Sequence, residues 1–329
     1  MKNLNMLFIS LLSALVLFII LSVFYGQNNP KELSLNEPIQ IVLKSTAGQP
    51  MDFWDVVGQG IEQAAKEYGI QVEISGPRYE KEINRQINIL NRIIAADPPL
   101  IILAASDYKR LVKSVEQAES RKIPIITLDS AVDSKIPVSF IATDNLEAGR
   151  RAGAEMKRLI AGRSKKEIAI VSHIRETATA IDREAGVREA LEGEKIAGTW
   201  FCDVEQEKAY RITLRLLKNP EIGGIVALNE VAALGVARAI DETGSKDEMI
   251  VVGFDSAIRE LSYLEEGVIK ATVVQRPYNM GYLSVQTAAE YLLGRRIESF
   301  IDTGSVLITR ENMFKREYQE LLYPFNPQE

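Results

Sequence analysis

IQIVLKSTAGQPMDFWDVVGQGIEQAAKEYGIQVEI, from Ile39 to Ile74, reads as strand, helix and strand. Ile39 to Leu43 is a short, mostly apolar run rich in β-branched residues. Val57, Ile61, Ala64, Ala65 and Tyr68 then recur on one face of a helix before Val72 to Ile74 returns to strand composition. A run of consecutive apolar residues, rather than an alternating one, suits a strand covered on both faces, as in a parallel sheet. The pattern continues outward. Leu100 to Leu103 and Ile125 to Leu128 are further short strands, and Ile83, Ile87, Leu90 and Ile94 mark a helical face before them. Strand and helix in alternation predict a doubly wound α/β sheet.

A second cycle follows. Strands are expected at Ile168 to Val171, Ile225 to Leu228 and Ile250 to Phe254, with helices such as Arg183 to Leu191 and Val231 to Glu242. Two similar α/β units therefore stand in tandem. Sheets of this kind take ligands in the loops beyond the carboxyl ends of their strands, so two facing sheets place those loops on the walls of one cleft.

Composition narrows the chemistry. The chain has 329 residues, 46% hydrophobic and 26% charged, which suits a folded globular protein. A net charge of -6 and a pI near 5.3 leave no excess of Lys and Arg for a phosphate backbone, so nucleic acid is not an expected partner. Cys202 and His173 are each alone of their kind. A disulfide within the chain is impossible, and neither a Cys/His zinc site nor a Cys/His nucleophile is expected. His173 follows the strand IAIV, but without Ser/His/Asp spacing it reads as structural. The GQG of Gly58 to Gly60 lacks a third glycine and lies within a helical pattern, so it is no dinucleotide fingerprint. No metal, cofactor or catalytic residue is expected.

Met6 to Tyr25 (MLFISLLSALVLFIILSVFY) is uncharged, and at about 1.5 Å per residue it would span roughly 30 Å as a helix, the thickness of a bilayer core. Its length exceeds that of a signal-peptide core, no small-x-small site follows before Gly26, and no cysteine ends it for lipid attachment. Residues 1–25 are therefore expected to be an uncleaved membrane anchor, with Lys2 inside and the bulk of the chain outside. Residues 26–37 are polar, contain Pro30 and read as a stalk.

Side chains just past the strands are a biased set: Asp129 after IPIITL, Asn229 after IVAL, Asp255 within VVGFD and Gln275 after ATVV. All can hydrogen-bond. Phe53 and Trp54 stand near the end of the first strand, at the start of a helix. Aromatic faces beside carboxylates and amides suit a sugar, whose C–H faces stack on rings while its hydroxyls need polar partners. Arg183, in AIDREAGV, opens a helix in the second half and can fork between a ligand hydroxyl and a carboxylate. Each residue also has a plainer reading: Asp and Asn after strands cap helices, rings fill cores, and Arg makes surface ion pairs. Polar strand ends recurring in both halves favour a binding site. Asp144-Asn145, after FIAT, reads as a helix cap and an interlobe hinge.

FWDVVGQGIEQAAKEYG, IPIITLDS, IATDNLEAGRRAG, DREAGVREAL, ALNEVAALGVARAI, VVGFDS and VVQRPYNMGYLSVQTA, in that order, resemble the sugar-binding periplasmic-type receptors of the ribose-binding-protein class. That class shares its fold with the ligand-binding cores of lactose-repressor-type regulators. The resemblance runs from Ile39 to Ile308 and implies the type I periplasmic-binding-protein fold, two lobes joined by a three-segment hinge. It implies crossings near Thr143-Asp144, Val274-Gln275 and Asp302-Thr303. Lobe one would hold 39–143 and 275–301, lobe two 144–274 and 303–315, with 316–329 left as a tail. It further implies that Phe53 and Trp54 sandwich or flank a sugar ring while Asp129, Arg183, Asn229, Asp255 and Gln275 bond its hydroxyls. Ser130, a further candidate ligand contact, stands beside Asp129 where relatives often carry Arg, and Met51 stands where ribose receptors carry Asn, which counts against ribose itself.

The resemblance implies a monomeric receptor that closes around a monosaccharide and presents it to an ATP-driven (ABC-type) importer, or signals occupancy to a membrane histidine kinase. A glycoside hydrolase using Asp129, Asp144 and Asp255 is the enzymatic alternative. A transcription regulator is excluded, because an apolar segment occupies the place of a DNA-binding headpiece.

Overall fold

The computed structural model describes residues 37–47, 51–164 and 167–323. The expected anchor, and the stalk up to Asn36, lie outside them. Among the described residues no helix is long and apolar enough to cross a membrane.

The first sheet contains β1 (Ile39–Val42), β2 (Val72–Ser75), β3 (Ile101–Leu103), β4 (Ile125–Leu128), β5 (Ser139–Ala142) and β11 (Phe300–Asp302), in the order β11-β5-β4-β3-β1-β2, all parallel. Helices α1 (Phe53–Tyr68), α2 (Ile83–Ala95) and α3 (Val112–Ser120) connect its strands. The second sheet contains β6 (Glu167–Ser172), β7 (Ile196–Phe201), β8 (Ile222–Ala227), β9 (Ile250–Phe254), β10 (Ala271–Val274) and β12 (Val306–Thr309), in the order β12-β10-β9-β8-β6-β7. Only β12 runs antiparallel, against β10. Its helices are α4 (Asn145–Ile160), α5 (Ala178–Ala190), α6 (Gln206–Leu216), α7 (Glu230–Glu242) and α8 (Ile258–Glu265). The two orders match strand for strand, so β1, β4 and β5 correspond to β6, β9 and β10.

Alternation along each strand builds two cores per sheet. In the second lobe Ile168, Ile170, Val226, Leu228, Ile250 and Val252 face the α4 and α5 side. Ala169, Val171, Ile225, Ala227 and Val251 face α6 and α7. Burial on both faces is why these strands read as unbroken apolar runs. In the first lobe Val42, Ile101, Leu103 and Ile125 pack on Leu90 and Ile94 of α2 and Val115 of α3.

The chain passes between sheets three times: after β5, after β10 into α9 (Pro277–Leu292), and between β11 and β12. Asp302 ties the first and third crossings, its Oδ1 accepting the Asp144 and Gly304 amides at 2.9 and 2.8 Å. Asp144 also caps α4, its carboxylate accepting the Glu147 N–H. Thr143 and Val274 are buried beside these turns.

Two details differ from the reading of the sequence. The first part of the expected tail is structured: α10 (Arg316–Leu322) lays Leu322, Leu321 and Tyr318 on the second lobe's core. Its seven residues are too few for a periodicity to emerge. Strand β7 went unread because it is a half-buried edge strand broken by Gly198, with no apolar run.

A glycine pair sets the helix packing of each lobe. A Cβ on Gly60 of α1 would collide with the Tyr278 carbonyl, and one on Gly281 of α9 with that of Val57. In the second lobe Gly149 meets the Arg183 carbonyl and Gly186 that of Leu146. Gly58 has nothing within 4 Å. Gly60→Ala is therefore expected to destabilise the fold by about 1 to 3 kcal/mol, whereas Gly58→Ala stabilises by about 0.5 to 1 kcal/mol. Chemical denaturation of both variants checks this; equal effects would contradict the close approach.

Candidate functional site

Lys44 leaves β1 and Asp129 leaves β4 at the carboxyl edge of the first sheet. Their ion pair, Nζ to Oδ2 at 2.7 Å, is buried, with the side chains 3% and 6% exposed. The corresponding places in the second sheet carry His173, after β6, and Asp255, after β9. Both aspartates have left-handed backbones, φ 60° and 79°. Aspartate tolerates this region better than most side chains, and the cost of holding it there is characteristic of functional turns. Each aspartate amide donates to the neighbouring strand at 2.9 Å, Asp129 to the Ile141 carbonyl and Asp255 to that of Val273. The carboxylate is thereby turned past the sheet edge.

Asp255 accepts the Gln275 Nε2–H at 2.6 Å and the Glu230 N–H at 3.0 Å. Burial pushes its carboxyl up, and the Arg183 guanidinium opposes that shift. Arg183, buried on α5, donates from Nε to Asn145 Oδ1 and from Nη1 to the Leu228 carbonyl, both at 2.8 Å. It lies over the Phe254 ring at 4.6 Å. Two hydrogen bonds and a ring face hold the guanidinium in place.

A cavity of about 340 Å³ lies between these strand ends. Asp129, Arg183, Asn229, Asp255 and Gln275 line it together with Phe53 and Trp54. Seven side chains from both lobes thus meet on one cavity. Asp52 caps α1 and so fixes the two aromatic residues at the helix start. The rings meet edge to face, with centroids 5.0 Å apart at 88°. They touch each other, so a sugar can lie against them but cannot be sandwiched between them. Asn229 caps α7, its Oδ1 accepting the Ala232 N–H at 3.0 Å, and it also lines the cavity.

Ser130 does not reach the site. It is fully buried behind Asp129, and its hydroxyl has no partner among the described residues. Met51 also lies off this cavity. Asp144 is a helix cap outside the cavity, so the three aspartates of the hydrolase reading do not form one cluster. Among the described residues no group of His, Cys, Asp and Glu is arranged to hold a metal.

His173, read as structural, also lines the cavity, and Lys44, Glu80 and Glu230 line it without having been read from the sequence. Lys44 follows IQIVL, and applying the strand-end rule to a cation as well as to Asp and Asn would have found it. His173 is neutral, burial holding its pKa well below 6.5, and its Nε2 lies 3.1 Å from Thr179 Oγ1. Glu80 accepts the Trp54 Nε1–H at 2.7 Å, and burial raises its carboxyl although Lys44 opposes this. Glu230 accepts the Phe53 amide across the cleft; burial, with Asp255, Asp52 and Glu80 nearby, pushes it up to about 8. Two more contacts join the lobes: Lys81 to Glu205 at 2.6 Å, and the Tyr108 N–H to the Glu176 carbonyl at 2.8 Å. Both contacts bridge the cleft.

With this geometry in view, the comparisons with known proteins are specific. Residues 42–296 match the model of the periplasmic binding protein domain, and the chain belongs to that family. It is 28% identical over 287 residues to the D-ribose/D-allose-binding protein of Pseudomonas aeruginosa, covering 82% of this chain and 88% of that one. It is similar to the structure of a carbohydrate transporter solute binding protein from Agrobacterium radiobacter in complex with D-arabinose. The TM-score there is 0.82 at 32% identity, over 87% of this chain and 98% of the other. An ABC transporter solute binding protein from Agrobacterium vitis with bound D-fucose gives 0.82 at 29% identity, over 87% and 100%. The fold is the type I periplasmic-binding-protein fold, and the family is one of binding proteins rather than enzymes.

Two outcomes follow. Lys44→Met leaves Asp129 buried without its cation, so the variant is expected to lose about 3 to 5 kcal/mol of stability; thermal unfolding unchanged from the parent would contradict the pair. A Glu230 carboxyl raised to about 8 binds a proton in the folded state that the unfolded state releases from about 4.5 upward, so it lowers stability progressively as pH rises through that window. Glu230→Gln should gain on the parent in melting temperature between pH 5 and pH 8, and a constant difference would contradict the shift.

Proposed function

We propose that the chain is an extracytoplasmic receptor that closes its two lobes around a monosaccharide and presents it to an ABC-type importer. The observation that carries this reading is the single cavity walled by strand-end polar groups of both sheets. At about 340 Å³ its size falls within the range of small-ligand sites. Phe53 and Trp54 offer apolar faces to one side of a sugar ring. Asp129, Asp255, Asn229 and Gln275 offer acceptors and donors to its hydroxyls, and Arg183 adds a charged donor. Thr143, Asp144, Val274 and Asp302 serve as the hinge. A relative named for D-ribose and D-allose, and neighbours solved with D-arabinose and D-fucose, support the ligand class. The neighbours named for transporters support import, and none of those cited is named for a kinase. The N-terminal anchor would keep the receptor beside its permease.

Thermal-shift measurement on the full-length chain in detergent, against a panel of pentoses and hexoses, tests the reading. A bound sugar at about 100 times its dissociation constant stabilises by about 2.7 kcal/mol. A shift with no monosaccharide would contradict the ligand class. Asp255→Ala and Arg183→Ala are each expected to weaken binding of the responding sugar by about 2 kcal/mol or more, roughly 30-fold. Full affinity in both, measured by calorimetry, would contradict the assignment of the site.

A further inference from the structure

Among the described residues the cavity is lined by seven carboxylates and three basic side chains. The basic groups are already engaged: Lys44 with Asp129 at 2.7 Å, Lys81 with Glu205 at 2.6 Å, and Arg183 with Asn145 and the Leu228 carbonyl beside Asp255. Asp203 has Lys208. Among the described residues Glu80, from the first lobe, and Glu230, from the second, are in no ion pair: Glu80 accepts the Trp54 indole N–H and Glu230 the Phe53 amide, while Lys44, whose charge acts on Glu80, is paired with Asp129. A carboxylate taken out of water without a cation is costly, and a neutral hydroxyl relieves only the hydrogen-bonding part of that cost.

A second feature points the same way. Gln275 is 2% exposed and lines the cavity, and its Nε2 is spent on Asp255, while its Oε1 is buried with no partner among the described residues. His173 Nδ1, on a neutral imidazole in the same wall, is also unpartnered. The lining thus carries more acceptors and negative charge than donors and positive charge. An ammonium group supplies three donors and one positive charge.

We propose that the ligand is a monosaccharide bearing a protonated amine, held between Glu80 and Glu230 as the lobes close. This rests on the reading of the cavity as a monosaccharide site and names the class of sugar. Glu80 and Glu230 are then the residues that set specificity for the amine over a hydroxyl.

Calorimetry on the full-length chain at neutral pH tests this with D-glucosamine against D-glucose, D-galactosamine against D-galactose, and N-acetyl-D-glucosamine, which keeps the nitrogen and loses the charge. At least one amino sugar is expected to bind about ten-fold or more tighter than its neutral counterparts, the size of a charge-assisted bond. Glu80→Gln and Glu230→Gln should each weaken the amino sugar about ten-fold more than its neutral counterpart. Neutral sugars binding as tightly as the amines, or Gln variants that weaken both alike, would overturn the amine and leave the monosaccharide reading standing. No binding of any sugar, charged or neutral, would overturn both.

Discussion

Charge buried at the carboxyl edge of a sheet has to be answered locally, and the architecture of this protein follows from how it is answered. Asp129 and Asp255 leave equivalent strands in left-handed backbone, each with its amide tied to the adjacent strand and its carboxylate turned past the sheet edge. In the first lobe Lys44 neutralises the charge directly. In the second no lysine occupies the equivalent place. Asp255 is instead surrounded by Gln275, the Glu230 amide and the Arg183 guanidinium, while the corresponding position holds a neutral histidine. One repeated device is thus resolved differently in the two lobes.

The helices serve the same edge. Gly60 and Gly281 let α1 and α9 approach closely, and α1 carries Phe53 and Trp54 at its capped N-terminus. Gly149 and Gly186 do the same for α4 and α5, and α5 carries Arg183 one turn before Gly186. Side chains at the cavity are held by backbone packing far from solvent, so they can be preorganised rather than assembled by the ligand. Closure then depends on few contacts. Lys81 with Glu205, Tyr108 with Glu176 and Phe53 with Glu230 join the lobes around the cavity, and Asp302 links two of the crossing segments.

Much of this was legible in the sequence, because strands buried on both faces leave unbroken apolar runs and the residue after each run is a strand end. Ile125–Leu128 and Ile250–Phe254 were read to the residue, and Asp129 and Asp255 followed. Edge and short elements were not legible: β7 is half-buried and α10 is seven residues long, so neither has a period to detect. At the site, Lys44 was missed because hydrogen-bonding acceptors and amides were sought at strand ends and cations were not. Glu80 and Glu230 sit in a loop and a helix turn whose facing across the cleft is a tertiary fact. Ser130, fully buried off the cavity, follows a left-handed Asp129, and no local pattern in LDS announces that turn.

The most direct test is a crystal structure of the full-length chain grown with a monosaccharide it binds. The account predicts the sugar ring against Phe53 and Trp54, with its polar groups within hydrogen-bonding distance of Asp255 and Arg183 in a closed cleft. A sugar seated elsewhere on the surface, with these side chains left as they are without it, would contradict it.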